Sequence, residues 1–124
     1  MYEITVGDTV YPFNFGMGFL REINKCATSD VPGVNNLKAN VGLRYSVMQL
    51  IDGDVEALVR VLDAANKGQN PRITIKKIEE FIDDENTNID VVFDEVMGFL
   101  KTANATKKAT LAVFQNIEET LNQN

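Results

Sequence analysis

The hydrophobic pattern of this chain changes period at Gly16, and that change limits the folds open to it. Before Gly16, residues 2–6 (YEITV) and 10–15 (VYPFNF) are β-prone and flank Gly7-Asp8-Thr9. That composition predicts a small hairpin closed by a short Gly/Asp turn. Pro12 has no amide to donate, so it confines its strand to a sheet edge or ends it. After Gly16, Met17, Leu20, Ile23 and Ala27 recur at intervals of three and four, opposite Arg21 and Glu22, which predicts a short helix. Between the two patterns, residues 11–25 (YPFNFGMGFLREINK) crowd Phe13, Phe15 and Phe19 around Gly16-Met17-Gly18. In a small domain, aromatic residues so placed belong to the core more often than to a protein interface. The glycines read as a strand-to-helix hinge with room for close packing.

Downstream, residues 28–36 (TSDVPGVNN) collect turn formers and are expected to be a loop, free to be mobile. The remainder is helical in pattern. Leu43, Val47, Leu50 and Ile51 form one stripe, ended by Asp52-Gly53. Asp54 is placed to cap a helix whose Val55, Leu58, Val59 and Leu62 share a face. Residues 68–71 stop that helix, and Thr74 can cap the next, which carries Ile75, Ile78, Phe81 and Ile82. Asn88 opens the clearest helix, with Ile89, Val92, Phe93, Val96, Met97 and Leu100 on one side. A last stripe, Leu111, Phe114, Ile117 and Leu121, follows Thr106 as an expected N-cap; the polar tail Asn122-Gln123-Asn124 should fray.

The expected fold class is therefore α+β, mainly helical: a small N-terminal β-hairpin followed by five or six α-helices. Its 124 residues fit a single domain, 1–124. Within it, 2–15 is the hairpin, 16–104 a helical core, and 106–124 a C-terminal helix, either mobile or interface-forming.

Catalytic chemistry finds few residues to stand on. Histidine is absent, which removes the commonest general base and metal ligand, and the only cysteine is Cys26. No base is at hand to activate Cys26, whose default is a partly buried helix position. Gly16-Met17-Gly18 lacks the third glycine of a dinucleotide fingerprint and the Gly-Lys-Ser/Thr of a P-loop. Asp52, Asp54 and Glu56 share the spacing of a calcium loop, yet Ala57 stands where that loop needs glycine. A helix end followed by a cap is the simpler reading. The densest acidic cluster, Asp83-Asp84-Glu85 with Glu79 and Glu80, reads as a solvated helix face or a contact for a basic partner. The expectation is no enzyme, no cofactor and no metal site. A net charge of −6 argues against nucleic acid. No apolar run approaches the ~18 residues that a membrane span needs, and the acidic start MYEITVGD is unlike a signal peptide. A cytosolic protein is expected.

Four segments in order give the chain a family likeness. They are the hairpin ending in YPFNFGMGFLREINK; Gly42-Leu43 opening a helix that runs to Gly53-Asp54-Val55-Glu56-Ala57-Leu58; Pro71-Arg72-Ile73-Thr74 leading into Ile78-Glu79 and an acidic stretch; and Phe99-Leu100-Lys101 before Asn104-Ala105-Thr106-Lys107-Lys108. From residue 2 to about residue 108, this order resembles the tail assembly chaperones of long-tailed, non-contractile phages (siphophages) and prophages of Gram-positive bacteria.

The resemblance implies a non-enzymatic protein of the host bacterial cytoplasm that binds the tape measure protein and keeps it soluble. It implies recruitment of tail tube (major tail) subunits, absence from the mature virion, and a longer product made by ribosomal frameshifting. Lys107-Lys108 permits the adenine-rich codons of a slippery site. On the residue pattern, the partner-binding candidates are Phe93, Met97, Leu111, Phe114, Ile117 and Leu121, with homo-oligomerisation a further use of such stripes. The competing reading is a tail-completion or head–tail connector protein retained in the virion. A regulatory module acting on a host protein or nucleic acid comes third.

Overall fold

The hairpin closes one residue tighter than its composition suggests. In the computed structural model, which describes residues 1–122, β1 (Tyr2–Val6) pairs antiparallel with β2 (Thr9–Phe13). Thr9 is thus a strand residue opposite Val6, and only Gly7-Asp8 turns. Gly7 has φ +62° and Asp8 a negative φ, the signature of a type II′ turn with glycine first. β2 ends at Phe13, short of the expected residue 15. Pro12 is tolerated in mid-strand because this two-stranded sheet consists of edges.

Alternation sends Tyr2, Ile4 and Phe13 inward. Phe15 and Phe19 join them, so all three phenylalanines of the opening run are core. Phe15 stacks on Phe99 with ring centroids 5.5 Å apart and meets Phe19 edge-on at 5.1 Å, while Tyr2 lies 5.3 Å from Phe99. Burial, and then the nearby Glu95 carboxylate, raise the ionisation of Tyr2 far above its ordinary value. An unfolded tyrosine ionises near pH ~10. The stability this shift lends is therefore complete below that pH and is lost as pH climbs past it. Tyr2→Phe should blunt the alkaline loss of stability, read by urea unfolding at about pH 9 and about pH 11.

α1 (Met17–Asn24) starts from Gly16, but neither glycine of the Gly-Met-Gly break has a positive φ, and a Cβ on Gly18 would meet nothing within 4 Å. The buried face of α1 is Phe19 and Ile23, and Met17, expected on the inner stripe, points to solvent. Cys26 lies in the exposed turn after α1 rather than within a helix.

Of the expected loop over 28–36, residues 32–36 are indeed turn and bend, but 28–30 form β3 (Thr28–Asp30), which pairs with β4 (Lys38–Asn40) as a second hairpin. Every residue of both strands is exposed, so no apolar alternation marks them. Asp30 and Lys38 pair across the end that adjoins the connecting loop.

Five further helices follow among the described residues, and each contributes to the buried core: α2 (Gly42–Ile51), α3 (Val55–Asn66), α4 (Ile75–Asp83), α5 (Ile89–Thr102) and α6 (Lys107–Asn122). Three expected caps form: Asp54, Thr74 and Asn88 accept from the amides of Ala57, Lys77 and Val91 at 3.2–3.3 Å. Asp52-Gly53-Asp54 is the joint of two helices. Gly53, at φ +77°, donates to Leu50, and Asp54 donates to Gln49 before capping α3. That closing pattern accounts for the acidic spacing at 52–56. Thr106 departs from expectation. It is fully buried, and its hydroxyl donates backward to the Leu100 carbonyl at 2.8 Å instead of capping α6. α6 reaches Asn122, where fraying was expected to begin; Gln123 and Asn124 lie outside the described residues.

Candidate partner-binding surface

Helix α6 shows why its apolar stripe divides. Thr110 and Val113 are buried against the body of the protein, and Phe114 and Ile117 pack half-buried beside them. Leu121 lies on the same azimuth, four residues beyond Ile117. There the helix has run past its support, and Leu121 is 67% exposed. Leu111 is one step round the helix from Thr110 and is 49% exposed on the flank.

α6 packs against α2 and α5. Along the α2 seam lies an open groove of roughly 470 Å³ whose floor is Val113. Ile117 and Leu121 form one wall, and Met48 and Arg44 of α2 form the other. Asn116 and Thr120 rim it, the Thr120 hydroxyl donating to the Asn116 carbonyl at 2.9 Å. Met48 is 52% exposed, which gives the groove a flexible, polarisable lip.

Along the α5 seam, Phe93, Met97 and Lys101 follow one another at intervals of four and share a flank. Phe93 and Met97 pack half-buried against the core. The Lys101 ammonium stands 4.3 Å from the centre of the Phe114 ring, a cation–π contact that covers part of the ring.

Of the six residues named from sequence, Ile117 and Leu121 therefore share the groove. Phe114, Phe93 and Met97 line the neighbouring seam, and Leu111 stands apart. Met48 and Arg44 are surface members that the sequence pattern left unnamed. The available signal was that α2 is apolar on two sides, with Tyr45 and Met48 opposite the Leu43, Val47 and Leu50 stripe.

Two larger concavities lie elsewhere. One, of roughly 610 Å³, lies between the start of the chain, residues 13–17 and the end of α5, with Phe13, Phe15 and Phe99 in its lining. The other, of roughly 680 Å³, runs between β1 and α4–α5. Among the described residues no group of three or more Cys, Asp or Glu is placed to hold a metal ion. No described helix is long and apolar enough to cross a membrane. The concavity built of exposed apolar side chains on two helices suits protein recognition.

The family described as phage tail assembly chaperone protein, TAC, matches residues 3–115. The chain belongs to that family. Its role thus lies in phage tail assembly, and its partners are expected among phage tail proteins. Neither a curated protein nor a solved structure matches the chain. The family match extends past the four-segment likeness into α6, through Leu111 and Phe114, and stops before Ile117 and Leu121.

Proposed function

We propose that this tail assembly chaperone binds the tape measure protein through the α2–α6 groove and the adjoining α5 seam. It holds that long helical client soluble in the host cytoplasm until tail tube subunits polymerise and displace it. It does so without catalysis, and a longer frameshifted product would recruit the tube subunits. What supports the reading is the exposure of Met48 and Leu121, with half-buried Ile117 between them, around one open groove. An amphipathic helix lays its apolar face into such a groove by anchors spaced three and four residues apart. Phe93, Met97 and Phe114 extend the apolar area along the α5 seam, and Leu111 is a separate exposed contact on the flank of α6. As a chaperone and not a component, the protein should be missing from purified virions, which mass spectrometry would show.

The test is co-expression with the tape measure protein of the same phage. Met48→Asp combined with Leu121→Asp places two carboxylates on exposed lips of the groove, where neither disturbs the core. Burying a large apolar side chain is worth about 1.5–3 kcal/mol. The double variant should therefore retain less than about a tenth of the client that the parent keeps soluble. Parent-like client recovery by a variant with unchanged circular dichroism would remove the groove from the account.

A further inference from the structure

The concavity beside β1 has a property that the client reading does not use. It is lined by every residue from Tyr2 to Gly7 and by none of β2, so it runs along the outer edge of β1. The II′ turn makes Val6 and Thr9 the hydrogen-bonded pair that closes the hairpin. Pairs alternate along an antiparallel ladder, so Glu3 with Pro12 and Thr5 with Val10 are non-hydrogen-bonded pairs. The amides and carbonyls of these residues point away from the partner strand. On β2 that outer edge is covered: Pro12 has no amide to offer, and its carbonyl accepts from the Asn66 side chain at 2.8 Å. The Asn14 amide continues the contact by donating to the Ala65 carbonyl. On β1 the corresponding amides and carbonyls of Glu3 and Thr5 find no hydrogen-bond partner among the described residues. They form a short open edge facing a cleft already walled by α4 and α5.

We propose that the outer edge of β1 takes up an extended, lysine- or arginine-bearing segment of a partner protein as a third strand. Main-chain bonds to Glu3 and Thr5 supply the pairing. The choice of a basic occupant comes from the cleft's charge. Glu3, Glu80, Asp84 and Glu95 line it against the single ammonium of Lys77, which is itself 3.6 Å from Glu80. The alternative occupant, β1 of a second copy, would bring the same carboxylates face to face, and like charges across a sheet edge oppose pairing. Glu3 and Thr5 are exposed, so no rearrangement is needed to admit a strand. The β1 cleft shares no lining residue with the α2–α6 groove, so the two surfaces can be tested independently.

The test uses the full chain and a capped, labelled hexapeptide of alternating lysine and valine, followed by fluorescence anisotropy and amide NMR. The lysine peptide should bind and shift the Glu3 and Thr5 amides. A glutamate–valine peptide, and a lysine peptide N-methylated on its valines, should each bind about tenfold or more weakly. Thr5→Pro removes one outward amide and repeats on β1 what Pro12 does on β2. It should cost about tenfold or more in affinity at unchanged circular dichroism. Should Thr5→Pro fail to fold, Glu80→Lys with Asp84→Lys should reverse the preference toward the glutamate peptide. The proposal is overturned by absent binding, by equal binding of all three peptides, or by a folded Thr5→Pro that binds like the parent. It is overturned equally by a self-associated parent that Thr5→Pro turns into monomer, which would assign the edge to a second copy.

Discussion

Asn66→Ala should lower the free energy of unfolding by about 3–5 kcal/mol, enough to leave a domain of ordinary stability marginal. Asn66 is 0% exposed at the C-terminal end of α3, and its amide is fully used. The amide nitrogen donates to the Pro12 carbonyl at 2.8 Å and to the Pro71 carbonyl at 3.1 Å. The amide oxygen accepts from the Ile73 amide at 2.7 Å and the Arg72 guanidinium at 2.9 Å. One side chain thus ties β2 and the connection before α4 to the end of α3. Truncation strands two carbonyls and one amide, each costing about 1–3 kcal/mol where water cannot reach. Arg72 loses less, since it keeps Asp63 at 2.7 Å and the Ile73 carbonyl at 3.0 Å. Urea unfolding followed by circular dichroism measures the loss. Hydrogen exchange should show the β2 amides losing protection first, because the hairpin's anchor has gone. A loss below about 1 kcal/mol would mean that water replaces the side chain at all three groups.

No sequence pattern announces Asn66. It sits in the Asp63-Ala64-Ala65-Asn66 end of a helix, where asparagine ordinarily reads as a terminator, and its partners at Pro12 and Pro71 are distant or in irregular chain. Periodicity did reveal the helices and most of their inner faces, because burial of Val47, Leu58, Leu62, Ile78, Val96 and Leu100 imposes its spacing on the sequence. Local chemistry revealed Asp54, Thr74 and Asn88, since a cap acts within three residues. The β3–β4 hairpin escaped for a physical reason: with all six strand residues exposed, nothing selects an apolar alternation there. Thr106 misled because a threonine before a helix can equally turn back to the helix that precedes it. Met17, Val55, Ile75 and Leu121 occupy correct azimuths at helix ends, where the neighbouring element has already stopped, and each is exposed. The α2–α6 groove was legible to the same degree. Azimuth named Ile117 and Leu121, while only the packing of α6 on α2 could bring Met48 beside them.

The segments that carry the family likeness turn out to be joints. Gly53-Asp54 closes one helix and caps the next, Pro71-Arg72-Ile73 holds Asn66, and Thr106 is bonded to Leu100. Around the α2–α6 groove, Met48 sits in mid-helix between the two ends of the second segment, and Ile117 and Leu121 lie past residue 115, where the family match ends. The aromatic run at 11–25 belongs with the scaffold, since Phe13, Phe15 and Phe19 are all buried.

Gly42→Ala tests the tightest of those joints and should cost about 2–4 kcal/mol. A Cβ on Gly42 would stand 1.8 Å from the Ile23 carbonyl oxygen and 2.8 Å from both its carbon and the Cys26 Sγ. The cysteine can rotate away, but the Ile23 backbone is the last turn of α1 and cannot yield alone. α2 would have to withdraw from α1, and the withdrawal also breaks a cap that spans the two helices. Val41, at the N-cap position of α2, has no side chain able to accept, and Asn24 of α1 supplies the bond instead, its Oδ1 accepting from the Leu43 amide at 3.0 Å. Loss of such a cap is worth about 1 kcal/mol beyond the steric cost. Gly18→Ala is the control, because its Cβ would meet nothing within 4 Å in the first turn of α1. Alanine there should be neutral to about 1 kcal/mol stabilising. Opposite signs for the two substitutions in urea unfolding would locate the constraint in the α1–α2 contact. Equal, small effects would show that the helices part easily, and Asn24→Ala, which removes only the cap, would then also be nearly silent.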